Sequence, residues 1–378
     1  MKTSGRSLAR LRGHVRCGNR ICKDYNGRVS LGRPSLASEK VVVLLGGPGG
    51  ERLVSVASAQ NVARLLPDAS FWFWAADGRV HQVSRDAILG HQRAFEVEFQ
   101  PQVPPYAASL SAALDTEEAR GKVFFLALHG DAGEDGTIQG WLEQRRLYFT
   151  GSGSEACGRA MDKVCAKTLV QAQGLRVPTG EALSTDLSEI RAQLRSLRQR
   201  LGDLALKPVA EGSSTGLLFI ESDEDLERAA AEVAGEPARS YLAESFVKGV
   251  ELTVGVLDGG DGLRELPCSE VRLAAGGRFD YLGKYLGRGT KEVTPAEVPP
   301  PVSRAAQEVA KRAHRILGCT GYSRTDIIVN GQGPVFLELN TLPGLTRASF
   351  IPQQLEAAGI PFEDFLEAQI QLARRRYS

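Results

Sequence analysis

Apolar positions fall in short runs that close on glycine before a helical pattern takes over. Glu39 to Gly47, EKVVVLLGG, has the continuous apolar character of a buried strand, and SVASAQNVARLL from Ser55 has helical spacing. Val123 to Gly130, VFFLALHG, repeats the arrangement ahead of the turn DAGEDG and a helix-like segment from Thr137. Strand, glycine turn and helix in succession predict an α/β layer, and with it a first domain over residues 40–151. From Arg159 the spacing turns helical, and DLSEIRAQLRSLRQRL, Asp186 to Leu201, predicts an amphipathic helix with its charged side in water. Four strand-like runs, LALKP, GLLFI, YLAES and ELTVGVL, predict a mixed sheet with interleaved helix between Leu204 and Leu257. Ala274 to Pro301 is glycine-rich and weakly periodic, which predicts a linker or a functional loop. After it, Val302, Ala306, Val309, Ala313 and Ile316 recur at helical spacing with Gly318 as the stop, and RTDIIV and VFLELN flank NGQG as a hairpin.

Composition narrows the classes of function. The chain has 378 residues, 42% of them apolar, enough for two or three packed domains. Lys plus Arg number 46 against 45 Asp plus Glu, so no global field favours nucleic acid or an anionic membrane. No apolar run approaches the roughly 20 residues needed to span a bilayer. Cys17, Cys22, Cys157, Cys165, Cys268 and Cys319 are scattered without a CxxC pair, which predicts reduced thiols in a cytoplasmic protein. Residues 1–39 carry many arginines with Asp24 and Glu39 as the only acids, and arginine interrupts any apolar centre a signal peptide would need. The segment is expected to be a disordered basic extension outside the fold, with a transit peptide or an over-long start as the alternatives.

The hairpin carries the most chemistry. Residues two apart share a strand face, so Val335, Leu337 and Leu339 are expected on one side and Phe336, Glu338 and Asn340 on the other. Arg324 and Asp326 share a face of the preceding strand. If the polar faces coincide, Asp326, Glu338 and Asn340 make an all-oxygen cluster suited to Mg²⁺; otherwise they are the solvent side of a hairpin. Glu51 follows the glycine turn GGPGG, where a carboxylate attracts a substrate ammonium or simply favours the helix N-terminus. In LKPVAEGSSTG the lysine precedes the glycine-serine loop, the reverse of a P-loop, so Lys207 ends a strand and points at a phosphate that the loop covers, or is a strand-end lysine reaching for water. YLAESFVKGVE offers Glu244 and a backbone edge to an adenine, Phe246 to its ring and Glu251 to ribose hydroxyls.

Taken in order, GGPGGERLVSVASA, ALHGDAGEDGTIQG, YFTGSGSEACGRAMDKVCAK, LKPVAEGSSTG, YLAESFVKGVELTV, KYLGRGTKEVTPAE, GYSRTDIIV and LELNTLPGLTRASFIP resemble the D-alanine–D-alanine ligases of the ATP-grasp superfamily, over about residues 40–370. The resemblance implies an α/β (α+β) ATP-grasp fold: a Rossmann-like substrate domain over 40–151, a central subdomain over 152–243, and a C-terminal subdomain over 244–378 with a mobile loop at 274–301, ATP lying between two sheets. It implies phosphorylation of one D-alanine carboxylate to an acyl phosphate, attack by the amine of a second, and use of the dipeptide in peptidoglycan precursors. Lys163 and Lys207 would contact ATP phosphates under the Ser213–Ser214 loop. Glu244, Phe246 and the Val247 backbone would hold adenine, and Glu251 ribose. Asp326, Glu338 and Asn340 would bind two Mg²⁺, which Mn²⁺ can replace.

By the same resemblance Glu51 binds the first substrate's ammonium and is linked to Ser213 and Tyr285, with His129 nearby. Arg324 and the Gly344 N–H form an oxyanion site, Ser349 takes the second substrate's carboxylate, and Lys284 reaches the transferred phosphate from a lid that excludes water. Partners are ATP and D-alanine, with a homodimer expected and neither nucleic acid nor membrane. Tyr285, where depsipeptide-forming members have Phe, favours an amine acceptor. The sequence departs from the family at Gly49 (commonly Ser), Leu53 (commonly Glu) and Phe350 (commonly Leu or Met), and in its basic extension. Those departures motivate one alternative, a ligase joining other amino acids; a non-catalytic nucleotide-binding regulator is the alternative of another class.

Overall fold

The computed structural model describes residues 21–23, 29–31, 40–212, 216–260, 262–273 and 290–377. Most of the 1–39 extension, Ser213, Ser214, Lys284, Tyr285 and the greater part of the 274–301 loop lie outside the described residues. Within the unit Met1–Ala37, β1 (Ile21–Lys23) and β2 (Val29–Leu31) pair antiparallel.

The unit Ser38–Ser378 holds three sheets. In the first, β3 (Val41–Gly46), β4 (Ser70–Trp74), β5 (Val80–Val83), β6 (Val123–Leu126) and β7 (Tyr148–Phe149) take the order β5-β4-β3-β6-β7. β3 runs parallel to both β4 and β6, and only β5 is antiparallel. The central strands are buried along their whole length, which is why VVVLL and VFFL read as unbroken apolar runs rather than alternating ones. Helix Arg52–Ala63 follows β3 through the glycine turn and is buried nearly all round from Val54 to Ala63, with only Gln60 partly exposed. The predicted α/β layer is therefore present, with its turns at the carboxyl ends of the parallel strands, where ligands bind in such sheets.

The second sheet comprises β8 (Gly180–Ala182), β9 (Leu204–Pro208), β10 (Leu218–Ile220) and β11 (Tyr241–Ser245), in the order β10-β9-β11-β8, all antiparallel. Helices Leu187–Leu201 and Asp223–Gly235 cover one face with Ile190, Leu194, Leu197, Leu226, Ala229 and Val233. The charged side of the first is in water as expected, tied to the second by Arg191 and Arg195 on Glu227.

The third sheet contains β12 (Val250–Asp258), β13 (Leu263–Glu265), β14 (Ser269–Leu273), β15 (Thr290–Val293), β16 (Tyr322–Asn330) and β17 (Gly333–Asn340), ordered β15-β14-β12-β16-β17 with β13 beside β12. The single mixed sheet expected over Leu204–Leu257 is corrected here. ELTVGVL leaves the sheet of its three predecessors because β12 finds its longest partner in β16, pairing from Val250↔Val329 to Leu257↔Tyr322. Helix Pro300–Leu317 packs Ala306, Val309, Ala310, Ala313 and Leu317 on this sheet and ends at Gly318, whose φ of +77° suits glycine.

The strict alternation expected along β17 is also corrected. A register shift pairs Asp326 with Glu338 but Ile327 with Phe336, so β17 carries one extra residue at that point. Phe336 and Leu339, three apart, therefore enter the same core, while Glu338 and Asn340 remain half-buried at its edge. Cys157, Cys165, Cys268 and Cys319 are free thiols, and burial pushes Cys157 and Cys319 up to about 12, which makes them unreactive. No helix among the described residues is long and apolar enough to cross a membrane.

Candidate active site

Lys207 and Glu244 lie on the same face of the second sheet because Lys207 stands opposite Leu242 and Glu244 is two residues further on. Lys207 Nζ reaches Glu244 Oε1 at 2.7 Å, and Lys167 Nζ holds the other carboxylate oxygen from helix Lys163–Ala172. Burial works against the charge of all three. For Glu244 the two lysines outweigh burial and hold its carboxyl below the usual range. For Lys207 the carboxylates of Glu244 and Glu338 outweigh burial and raise its ammonium. Lys167 differs: burial, helped by repulsion from Lys207, pushes it down to about 8 despite Glu244.

Lys163 begins the same helix, after Asp162 caps it by accepting from the Val164 and Cys165 amides, both at 2.9 Å. Its Nζ donates to the Glu211 carbonyl, two residues before Ser213, and lies 3.7 Å from Glu338 Oε2. Lys163 and Lys167 are four residues apart and so share a helix face. That spacing was the available signal for Lys167, which the sequence reading left unassigned. Phe246 packs edge-on against Phe219, centroids 5.3 Å apart, and Val247 follows it before β12, where Glu251 stands close enough to Lys207 to raise its ammonium.

The hairpin brings the predicted oxygen cluster together. Arg324 pairs across the strands with Asn340 and Asp326 with Glu338. Arg324 donates to both Asp326 oxygens, at 3.0 and 2.8 Å, and Thr253 on β12 donates to Asp326 Oδ1 at 2.6 Å. The Arg324 guanidinium also lies over the buried Phe350 ring, 5.8 Å from its centroid. No three of His, Cys, Asp and Glu gather as a metal site among the described residues. Two carboxylates and an amide, all hard oxygen donors, do fit Mg²⁺, which takes few protein ligands and fills its shell with water and phosphate oxygens.

Glu51 sits at the N-terminus of helix Arg52–Ala63. Its Oε1 is 3.1 Å from where a Cβ on Gly130 would stand and 3.2 Å from that position on Gly212, so both glycine loops close on this carboxylate. Arg52 Nη1 holds the preceding turn through the carbonyls of Gly47, Pro48 and Gly49. The missing serine at position 49 has a structural counterpart: a Cβ on Gly49 would meet Asp131 Oδ2 at 1.8 Å, and that oxygen accepts the Gly50 N–H at 3.3 Å. Asp131 thus occupies the space of a side chain at 49, which no local pattern could reveal.

Gly344 lies in the segment after β17, and a Cβ there would stand 2.6 Å from Ser349 Oγ and 3.3 Å from Ser349 Cβ, so glycine leaves the space that the serine side chain fills. Ser349 Oγ is bonded to Thr346 Oγ1 at 2.8 Å. His129 is buried; its Nδ1–H donates to the Leu342 carbonyl at 2.8 Å, leaving Nε2 to accept from Ser58 Oγ at 2.8 Å. Burial lowers its pKa, in keeping with a neutral ring. Predicted as a neighbour of the first substrate, His129 uses both ring nitrogens within the protein.

The comparisons with known proteins bear on the family and the fold. Family models described as the D-ala D-ala ligase N-terminus and C-terminus match residues 40–152 and 169–371. A D-alanine–D-alanine ligase of Nitrosomonas europaea is 36% identical over 337 residues, 88% of this chain and 97% of its own. Among solved structures, a D-Ala:D-Ser ligase from Enterococcus faecalis superposes with a TM-score of 0.72 at 28% identity, covering 88% of this chain and 98% of its own. A Bacillus anthracis D-alanine–D-alanine ligase complexed with ATP shares the fold, with a TM-score of 0.66 at 24% identity over 89% and 96% of the two chains. The chain belongs to the D-alanine–D-alanine ligase family.

Proposed function

We propose that this protein is an ATP-dependent ligase that joins two D-alanines to D-alanyl-D-alanine for peptidoglycan precursors, working as a cytoplasmic homodimer. The observation that carries the reading is Lys163, whose ammonium lies between the start of the glycine-serine loop and Glu338 of the oxygen cluster. A triphosphate placed there meets lysines on one side and metal ligands on the other. Lys163, Lys207 and the Ser213–Ser214 loop hold the phosphates, with Lys284 reaching the transferred one. Glu244, Phe246 and Val247 take adenine, and Glu251 ribose.

Asp326, Glu338 and Asn340 would hold two Mg²⁺, whose charge offsets that of the triphosphate and the transferred phosphoryl group. Glu51, with Ser213 and Tyr285, orients the donor through its ammonium, so that its carboxylate attacks the γ-phosphorus and ADP leaves. Ser349 receives the acceptor's carboxylate, with Phe350 lining that pocket. Its amine attacks the acyl phosphate carbonyl, and Arg324 and the Gly344 N–H stabilise the oxyanion until phosphate departs. The buried Arg324 guanidinium acts strongly here because little water competes.

Phosphate release is the assay. Turnover should require D-alanine and a divalent cation, exceed that with D-serine, glycine or D-lactate as acceptor, and disappear in Glu338→Ala. Preference for D-serine would overturn the acceptor assignment, and undiminished turnover in Glu338→Ala would overturn the metal site.

A further inference from the structure

The segment around Gly344 is held by side chains at four backbone groups. Asn340 Oδ1 accepts the Leu342 N–H at 3.0 Å, and His129 Nδ1–H donates to the Leu342 carbonyl at 2.8 Å. On the other side of Gly344, Ser58 Oγ accepts the Leu345 N–H at 3.2 Å and Asn61 Nδ2 donates to the Leu345 carbonyl at 2.9 Å. Three of these four groups come from the first domain, more than 200 residues away in sequence. The Ser58 hydroxyl hydrogen goes to His129 Nε2, so the two clamps form one continuous chain from Leu345 through Ser58 and His129 to Leu342. Every member is buried.

We propose that Ser58 and Asn61, with His129 as the link between them and Leu342, are positioning residues that aim the Gly344 N–H at the developing oxyanion. The inference rests on the reading that this amide and Arg324 form the oxyanion site. Its physical basis is that an oxyanion donor acts only if it is already in place when the charge appears, and a glycine segment has little stiffness of its own. Ser58 and Asn61 are three residues apart on one face of helix Arg52–Ala63, the helix that starts at Glu51. A rigid helix therefore joins the carboxylate that orients the donor to the clamp that orients the oxyanion hole, and both substrate ends are referred to one element.

The test uses Ser58→Ala, Asn61→Leu and, as a control on the underlying reading, Arg324→Lys, in the full chain. Removing an oxyanion donor costs about 10²–10³ in rate, so misaiming one is expected to lower kcat by roughly 10- to 100-fold. The Michaelis constants for ATP and for the donor should stay within about twofold, since neither ligand is bound by the clamp. A phosphinate dipeptide that mimics the tetrahedral intermediate should bind more weakly by the factor lost in kcat. ATP binding measured separately shows that each variant is folded, and Asn61→Leu decides if Ser58→Ala is not. Wild-type kcat and phosphinate binding in both clamp variants, with Arg324→Lys impaired, would overturn the clamp and leave the oxyanion site standing. Phosphinate binding untouched by Arg324→Lys would overturn the oxyanion reading itself.

Discussion

Replacing Lys167 with methionine should separate stability from catalysis. The side chain is buried and its ammonium is pushed down to about 8 from 10.5. Near pH 7 the charged form is therefore disfavoured in the fold by about 3 kcal/mol, with the attraction of Glu244 already included. Methionine matches its length and removes that cost, and Glu244 keeps Lys207 at 2.7 Å, so no carboxylate is left bare. Lys167→Met should be between neutral and about 3 kcal/mol more stable than the parent near pH 7. The sign follows from linkage. A lysine whose folded pKa is lowered binds fewer protons in the fold between about 8 and 10.5, so the parent gains stability with rising pH across that window and the variant does not.

Catalysis should move the other way. With Lys167 gone, Glu244 has only Lys207, which is then held from the phosphates. The loss of one charge-assisted hydrogen bond, about 1.5–3 kcal/mol, corresponds to roughly 10- to 100-fold in kcat/KM for ATP. Because kcat/KM reports the free enzyme, its alkaline limb near pH 8 should also vanish in the variant. Thermal unfolding near pH 7 and initial rates over a pH series make both measurements. Wild-type kcat/KM with the alkaline limb intact, or a loss of several kcal/mol of stability, would refute the reasoning.

Two further outcomes are expected. Gly49→Ser should weaken donor binding by displacing Asp131, whose Oδ2 stands 1.8 Å from where the new Cβ would be, and Asp131→Gly, which also relieves a φ of +40°, should restore it; the double-mutant cycle in donor KM measures a coupling of about 1 kcal/mol or more. His314 is held down to about 4 by burial, with Asp258 opposing that shift and Arg315 adding to it, and its ring bonds Ser323 Oγ at 2.7 Å. A buried neutral histidine stabilises fully above its unfolded value, so about 3 kcal/mol should be lost as pH falls from roughly 6.5 to 4, and urea midpoints of His314→Gln should lack that part of the slope.

Local chemistry decided much by itself. Unbroken apolar runs, glycine turns and helical spacing specified β3, β6 and helices Leu187–Leu201 and Pro300–Leu317, because burial on two faces or one leaves a period that can be read directly. The hairpin and the residues on each strand face were legible too, but whether Asp326 and Arg324 share a face with Glu338 and Asn340 was left open, and the bulge decided it by pairing Asp326 with Glu338 and Arg324 with Asn340. Which sheet ELTVGVL joins was not legible, because a strand's period is the same beside any partner. Nor were the bulge that turns Phe336 inward, Asp131 filling the space at Gly49, Lys167 sharing Glu244, or Ser58, Asn61 and His129 clamping the Gly344 segment. Each depends on groups far apart in sequence that approach within a few ångströms. Short-range contacts of that kind leave no periodicity in the chain, and only tertiary packing brings them into being.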